Sequence, residues 1–337
     1  MRRARSAVPY LGLLVSLAFG YLAVRKVDAG EAWRAVRASE PLWLVPALAA
    51  LALAVLLRAL RWRFLFTPQT RPPLAAVTRA LLVGYFFNSV LPARAGEAAR
   101  VVALHRSNGN SRAELAATVL VERVFDVVVL VALLFAASPW LPDVAWARGA
   151  ALLAGAVALV CVLFVVSVAA WGDRPFRLLL RPLALLPFVA EERIARAALN
   201  LVTGMTAVRR PALTALATAW TTASWLGLGL SSWFVLREFR LGLSPLAGLL
   251  TVIAINLALV LPSGPAAVGV FEAATVVALA AYDVPTSKAL PAALILHLVN
   301  FVPYLVAGAV VVPGAARRAV PLRRDRADRG GAGRPGR

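Results

Sequence analysis

Glu122, Arg123 and Asp126 stand in the run "VLVERVFDVVVLVALL", where nearly every other side chain is apolar. An unpaired Arg or Asp near the centre of a membrane-spanning helix costs roughly 2.5 to 3.5 kcal/mol. A chain that keeps three such groups within about one helical turn has to compensate them. Glu122 and Asp126 are four residues apart and so share a helix face. Two carboxylates on one face call for cations, and the nearest in sequence are Arg94 and Arg100 of "NSVLPARAGEAARVV", with Arg123 alongside. Two chemistries fit: an internal salt-bridge cluster, or a water-accessible cavity in which some of the charges handle a charged headgroup. Glu97, just after the break at "LPARAG", is placed to cap the positive end of the helix that follows. That would leave Arg94 and Arg100 freer to meet a phosphate.

A second interruption lies at "LPSGPAAVG", late in the chain. Between Leu246 and Ala281 only Glu272 is ionisable, while Pro262, Gly264, Pro265 and Gly269 break the helix. Backbone N–H groups exposed at the start of a helix after such a break bind anions; a plain packing kink is the other reading. His297 and Asn300 lie three apart on one face of the last apolar run and suit interhelical hydrogen bonds. The cluster "RALRWRFLF", Arg58 to Phe66, reads as snorkelling Arg and interfacial Trp at a membrane surface, or as a direct contact with lipid phosphates.

The elements that must position these residues follow from composition. The 337 residues are 61% hydrophobic and 15% charged, with a mean hydropathy of +0.78. The apolar residues come in runs of about 20, the length that crosses a bilayer. The net charge of +20 falls in segments flanking those runs, which the positive-inside rule accounts for without nucleic acid. One cysteine excludes an intramolecular disulfide, and two His make a zinc cluster an unattractive reading. No cofactor or metal is expected.

Full spans are expected at Val8 to Val24, Pro41 to Leu60, Ala113 to Ala137, Ala147 to Ala170, Pro211 to Leu236 and Leu290 to Val312. The regions Leu74 to Leu104 and Leu246 to Tyr282 each read as two short helices joined by a turn. The fold class is therefore all-α integral membrane, with six spanning helices plus two re-entrant helical hairpins. The order span, span, hairpin, span occurs twice, about 8–137 and about 147–312, and the second copy starts from the opposite side. This is an inverted-topology repeat, and its broken segments are where such folds build a midplane site. The echo of Asn88, Leu91, Pro92, Gly96 and Glu97 in Asn256, Leu261, Pro262, Gly269 and Glu272 supports it. Charge placement puts both termini in the cytoplasm and the chain, as a multi-pass protein, in a bacterial-type cytoplasmic membrane. Glu191 to Val208 is expected along the inner surface, and residues 313–337, with eight Arg, form a basic disordered tail.

Together, "RALRW", "NSVLPARAGEAARVVAL", "ATVLVERVFD" and "LPSGPAAVGVFEAA" resemble the flippase-like membrane family related to the lysylphosphatidylglycerol synthase transmembrane region, over about residues 8 to 312. The resemblance implies transport of a lipid between leaflets, the relatives' aminoacyl-transfer domain being a separate soluble unit not seen in this sequence. The matching positions are Asn88, Pro92, Arg94, Gly96, Glu97, Arg100, Glu122, Arg123 and Asp126, with Pro262, Gly264, Gly269 and Glu272 in the later motif.

The expected function is a lipid translocase with no catalytic residue. Its partners are a membrane lipid substrate and, by the resemblance, a separate lipid-modifying enzyme. Substrate binding falls to Asn88, Arg94, Glu97, Arg100, Glu122, Arg123, Asp126 and Glu272; Pro92, Gly96, Pro262, Gly264 and Gly269 break the hairpins. No phosphate-binding loop of the G-x-x-x-x-G-K-[ST] type occurs, so movement is passive or ion-coupled. A transferase using Glu122 or Asp126 as general base and a membrane assembly factor are the alternatives.

Overall fold

A computed structural model describes residue 21 and residues 28–91, 95–142, 145–181, 210–260 and 264–317. The expected first span (apart from Tyr21), the surface segment 191–208, the tail from Arg318 onward, and Pro92, Arg94 and Pro262 lie outside the described residues.

Every regular element among the described residues is helical. In chain order they are α1 (Ala29–Arg37), α2 (Leu44–Phe64), α3 (Leu74–Val90), α4 (Gly96–Asn108), α5 (Arg112–Ala137), α6 (Ala145–Trp171), α7 (Arg174–Leu180), α8 (Pro211–Glu238), α9 (Pro245–Ala258), α10 (Val270–Ala280) and α11 (Thr286–Arg317). Short 3-10 turns occupy Pro41–Trp43, Ser138–Trp140 and Pro265–Ala267. Local chemistry sets several boundaries. α2 is rich in Ala and Leu, which are strong helix formers. α4 ends on Gly109, whose left-handed φ of 78° lets its N–H reach the His105 carbonyl at 2.9 Å. Ser111 then opens α5 by accepting the Glu114 N–H at 3.1 Å.

The two interrupted regions are each a pair of helices that pack on one another, α3 on α4 and α9 on α10. Among the described residues, two helices are long and apolar enough to cross a membrane: Pro41–Phe64 and Thr286–Pro313, with hydropathies of 2.2 and 2.1. α5 and α8 have 26 and 28 residues, but polar side chains interrupt their apolar character.

Packing pairs recur in matched sets. α2 lies along α8; α2 packs on α3 as α8 does on α9; α4 packs on α5 as α10 does on α11; and α3 meets α11 as α9 meets α5. On α11, Leu294, Leu298, Val302, Val306 and Val310 form an exposed stripe at every fourth position. On α6, Leu152, Leu159 and Leu163 are exposed at seven- and four-residue spacing, with Val160 beside them. Stripes of this kind are costly in water and ordinary against lipid tails.

Candidate functional site

α2 crosses the interior with Arg58 and Arg61 three residues apart, one turn of helix. Arg61 is only 3% exposed, and Trp62 beside it is fully buried. Both are expected from sequence at an interface, so this is a correction: the end of α2 is enclosed by α3, α5 and α8, leaving neither side chain a route to the surface. Arg61 instead supplies the cation that the acidic face of α5 requires. Its Nη1 donates to Asp126 Oδ1 at 2.6 Å and to Thr221 Oγ1 at 3.1 Å, and its Nη2 donates to Glu122 Oε1 at 3.0 Å.

The second oxygen of Glu122 accepts from Arg100 Nη1 of α4 at 2.7 Å. Arg100 also bonds Glu97, through Nε at 2.8 Å and Nη2 at 2.6 Å, and lies over the Trp62 ring with 4.7 Å to its centroid. Glu97 pairs in addition with Arg123, which approaches Asp126 Oδ2 at 3.6 Å. The expectation that Glu97 caps α4 and leaves Arg100 free is therefore corrected. The Glu97 carboxylate turns toward the guanidinium groups because two charge-assisted pairs outweigh one helix-end interaction. Asn88 does the capping from across the hairpin: its Oδ1 accepts the Gly96 N–H at 2.8 Å.

Gly96 likewise has a different role from the one expected. Its backbone is helical, and what it provides is space. A Cβ there would run into the Gly84 carbonyl oxygen and the Asn88 side chain, so Gly84 and Gly96 let α3 and α4 touch backbone to backbone.

The result is a narrow cleft with about 20 Å³ of free space. Arg58, Arg61, Arg100 and Arg123 line it with Glu97, Glu122 and Asp126, and Tyr85 and Asn88 complete the wall. A buried carboxylate or guanidinium is tolerable only when paired and hydrogen-bonded, and Glu122 at 1% exposure meets that requirement through two arginines. Arg58 is the exception in the set. Its Nε donates to Ser224 Oγ at 3.0 Å, and its guanidinium lies 4.7 Å over the Trp225 ring. It has no carboxylate within ion-pair distance among the described residues. Arg61 Nε and Trp225 Nε1 are buried donors left unsatisfied nearby.

Glu272 stands apart from this cleft. Its Oε2 accepts the Gly269 N–H at 2.6 Å, closing the start of α10, and its Oε1 meets His297 Nδ1 of α11. His297 thus makes the expected interhelical bond, whereas Asn300 donates within its own helix, to the Leu296 carbonyl at 2.9 Å. Gly269, with φ of 84°, is a true conformational break, and Gly264 is extended at the start of the 3-10 turn.

Of the sequence-derived binding residues, the structure gathers Asn88, Glu97, Arg100, Glu122, Arg123 and Asp126 into one cleft. It places Glu272 elsewhere and adds Arg58, Arg61, Tyr85 and Ser224. Arg58 and Arg61 do carry a sequence clue to this role: their three-residue spacing puts both on one face of a helix whose remaining residues are largely apolar.

These features define a class, an all-helical membrane protein with a buried ionic cleft beside an interrupted helix pair. The family model described as Lysylphosphatidylglycerol synthase TM region matches residues 10–308, and the chain belongs to that family. It is also similar to a UPF0104 membrane protein of Methanocaldococcus jannaschii, at 26% identity over 226 residues, 67% of this chain and 92% of the relative.

Proposed function

We propose that this protein is a lipid translocase of the cytoplasmic membrane. It holds the anionic headgroup of a phospholipid in the cleft between α2, α4, α5 and α8 while the lipid changes leaflet, and it makes or breaks no covalent bond. The observation that carries this reading is the charge balance of the cleft. Among the described residues four arginines face three carboxylates, and Arg58 is held in place by a hydroxyl and an indole ring, with no carboxylate within ion-pair distance. A phosphate diester supplies the missing negative charge and accepts from a guanidinium fork. A purely structural staple would have no use for a cation in excess of the carboxylates, since charge left over is a cost.

The family supports a lipid-related membrane role. The matched packing pairs fit two similarly packed halves, the arrangement in which one half rocks against the other around a central site. In this reading the pairs Arg61–Glu122 and Arg100–Glu122 hold the empty cleft shut, and the phosphate competes for Arg100 and Arg58 when a headgroup enters.

The test is leaflet exchange of headgroup-labelled phosphatidylglycerol in liposomes containing the purified protein. Wild-type protein is expected to expose inner-leaflet label to a membrane-impermeant quencher. Arg58→Ala should abolish this while remaining folded, because it strands no carboxylate. A panel of anionic and zwitterionic lipids that all stay in their leaflets with wild-type protein would overturn the reading.

A further inference from the structure

In each interrupted helix pair a carboxylate near the start of the second helix reaches a side chain of the helix that follows; the first pair is held to α5 by Arg100 and Glu122 as well. In the first, Glu97 near the start of α4 reaches Arg123 of α5, 26 residues on. In the second, Glu272 near the start of α10 reaches His297 of α11, 25 residues on. Arg123 and His297 also stand at the same distance from the first residues of their helices, Arg112 and Thr286. The ties are equivalent in position and differ in chemistry: a guanidinium keeps its charge at every accessible pH, whereas an imidazole changes charge near neutrality.

The second tie is enclosed. Glu272 is 6% and His297 8% exposed, and the imidazole lies between Phe271 and Phe301, with ring centroids 4.6 and 4.2 Å away. Directly before α10 the backbone is strained: Ala266 and Ala267 sit at φ of 55° and 56°, in the left-handed region that residues with a Cβ avoid. This strained turn packs on α3, part of the first helix pair.

We propose that Glu272 and His297 form a proton-binding latch, which holds α10 against α11 while the pair carries one proton and releases it when that proton is lost. With one proton the pair is an imidazolium and a carboxylate of zero net charge. Loss of the proton to water leaves a neutral imidazole beside a carboxylate, a net negative charge in apolar surroundings, and moving Glu272 toward water relieves it. The strained turn at Ala266 and Ala267 is the segment free to relax as α10 moves. Because that turn touches α3, release bears on the helix pair that walls the ionic cleft.

Few other charges face the latch. α9, the Pro265–Ala267 turn and the rest of α10 carry no ionisable side chain. The turn between α10 and α11 carries Tyr282 and Asp283, and α11 itself carries Lys288 and Tyr304. Against α11, α3 brings Arg79 and Tyr85, and α1 brings Glu31, Arg34 and Arg37. α2 brings Arg58, Arg61 and Arg63, and α8 brings Arg237 and Glu238. Tyr85 stacks on Tyr304 at the cleft, Arg58 and Arg61 are held by the partners given above, and Arg237 lies over Trp43 and Trp233. Glu272 and His297 bond to none of these.

The experiment is hydrogen–deuterium exchange of the full chain in detergent micelles, at about pH 5.5 and about pH 8.5, on either side of the ordinary histidine range. Rates are corrected for the intrinsic pH dependence of exchange. In wild-type protein, amides of residues 265–280 are expected to lose protection by roughly tenfold at the higher pH, while amides of α4, tied by Arg123, do not respond. His297→Arg, which installs a fixed cation as in the first half, should abolish the response, and so should Glu272→Gln, which removes the charge that release relieves. Equal protection of residues 265–280 at both pH values in wild-type protein overturns the latch, as does an unchanged response in both variants.

The link from latch to transport rests on the translocase reading, and a parallel liposome assay keeps the two separable. Lipid movement with no pH response in residues 265–280 removes the latch and leaves the translocase; a pH response with no lipid moving does the reverse.

Discussion

The first interrupted helix pair is built on charge and close contact, the second on apolar packing and backbone conformation. Between α3 and α4, Gly84 and Gly96 bring two backbones together, and the helix that emerges presents Glu97 and Arg100 to a network of ion pairs. Between α9 and α10 the chain turns through three left-handed residues, Ala266, Ala267 and Gly269, and presents a single carboxylate to one imidazole. One architecture thus carries two different devices. The first is suited to gripping a charged ligand, because its cations are numerous and only partly neutralised. The second sets one titratable pair inside an apolar core, where Phe271, Ala274 and Leu279 pack with α9 and α11.

The largest test of this contrast is Arg61→Met. It leaves Glu122 with Arg100 alone and Asp126 with only the distant Arg123, and breaking a buried pair in this way costs about 3–5 kcal/mol. SDS-induced unfolding in mixed micelles should register that loss; a cost as small as that of an exposed ion pair would mean that the cleft is far wetter than its burial indicates.

Gly96→Ala comes next. The added methyl has no room against the Gly84 carbonyl, so α3 and α4 must separate, at a cost of about 1–3 kcal/mol. Cysteine cross-linking between the two helices should weaken in parallel. Gly269→Ala should cost somewhat less, about 1–2 kcal/mol, because there the penalty is the left-handed backbone. If Gly269→Ala proves the more damaging in the same unfolding assay, the division between a contact-built pair and a conformation-built pair fails.

The smallest effect lies at the surface, between the turn before α2 and the end of α8. Glu40 accepts from the Trp43 indole N–H at 3.1 Å and from Arg240 Nε at 2.7 Å, and its own N–H donates to the Glu238 carbonyl at 2.8 Å. The indole N–H and then the Arg240 guanidinium hold the Glu40 carboxyl below the usual carboxylate range. A depressed carboxyl adds stability above its ordinary pKa, about 4.3, and that increment disappears as pH falls through the depressed value. Glu40→Gln should therefore lower stability slightly at neutral pH and match the wild type in acid, which flattens the acid limb. An exposed pair such as this contributes little, so a large effect would mark it as a hinge between α2 and α8.

Much of the helical layout is legible in the amino-acid sequence. The breaks at "LPARAG" and "LPSGPAAVG" and the extents of α2, α5, α8 and α11 follow from apolar run length and from Pro and Gly placement, which are local properties. The shared face of Glu122 and Asp126 follows from helical periodicity, and so does the demand for cations near them. Sequence proximity points to Arg94 and Arg100 and away from Arg61, because "RALRW" at the end of an apolar run has the composition of an interfacial anchor. Glu272 falls among the expected binding residues because its motif echoes that of Glu97.

By itself, the sequence determined a membrane-class composition, the period of each helix and which side chains share a face, because these depend on neighbours within a turn or two. Only the tertiary structure decided which faces meet. Arg61 reaches Glu122 across 61 residues and Asp126 across 65, and His297 reaches Glu272 across 25, because α2 lies against α5 and α10 against α11. In an apolar solvent the helices gain little from burying one Leu face over another. Their neighbours are chosen by small-residue contacts such as Gly84 with Gly96 and by pairing of charges, and both are properties of two helices together.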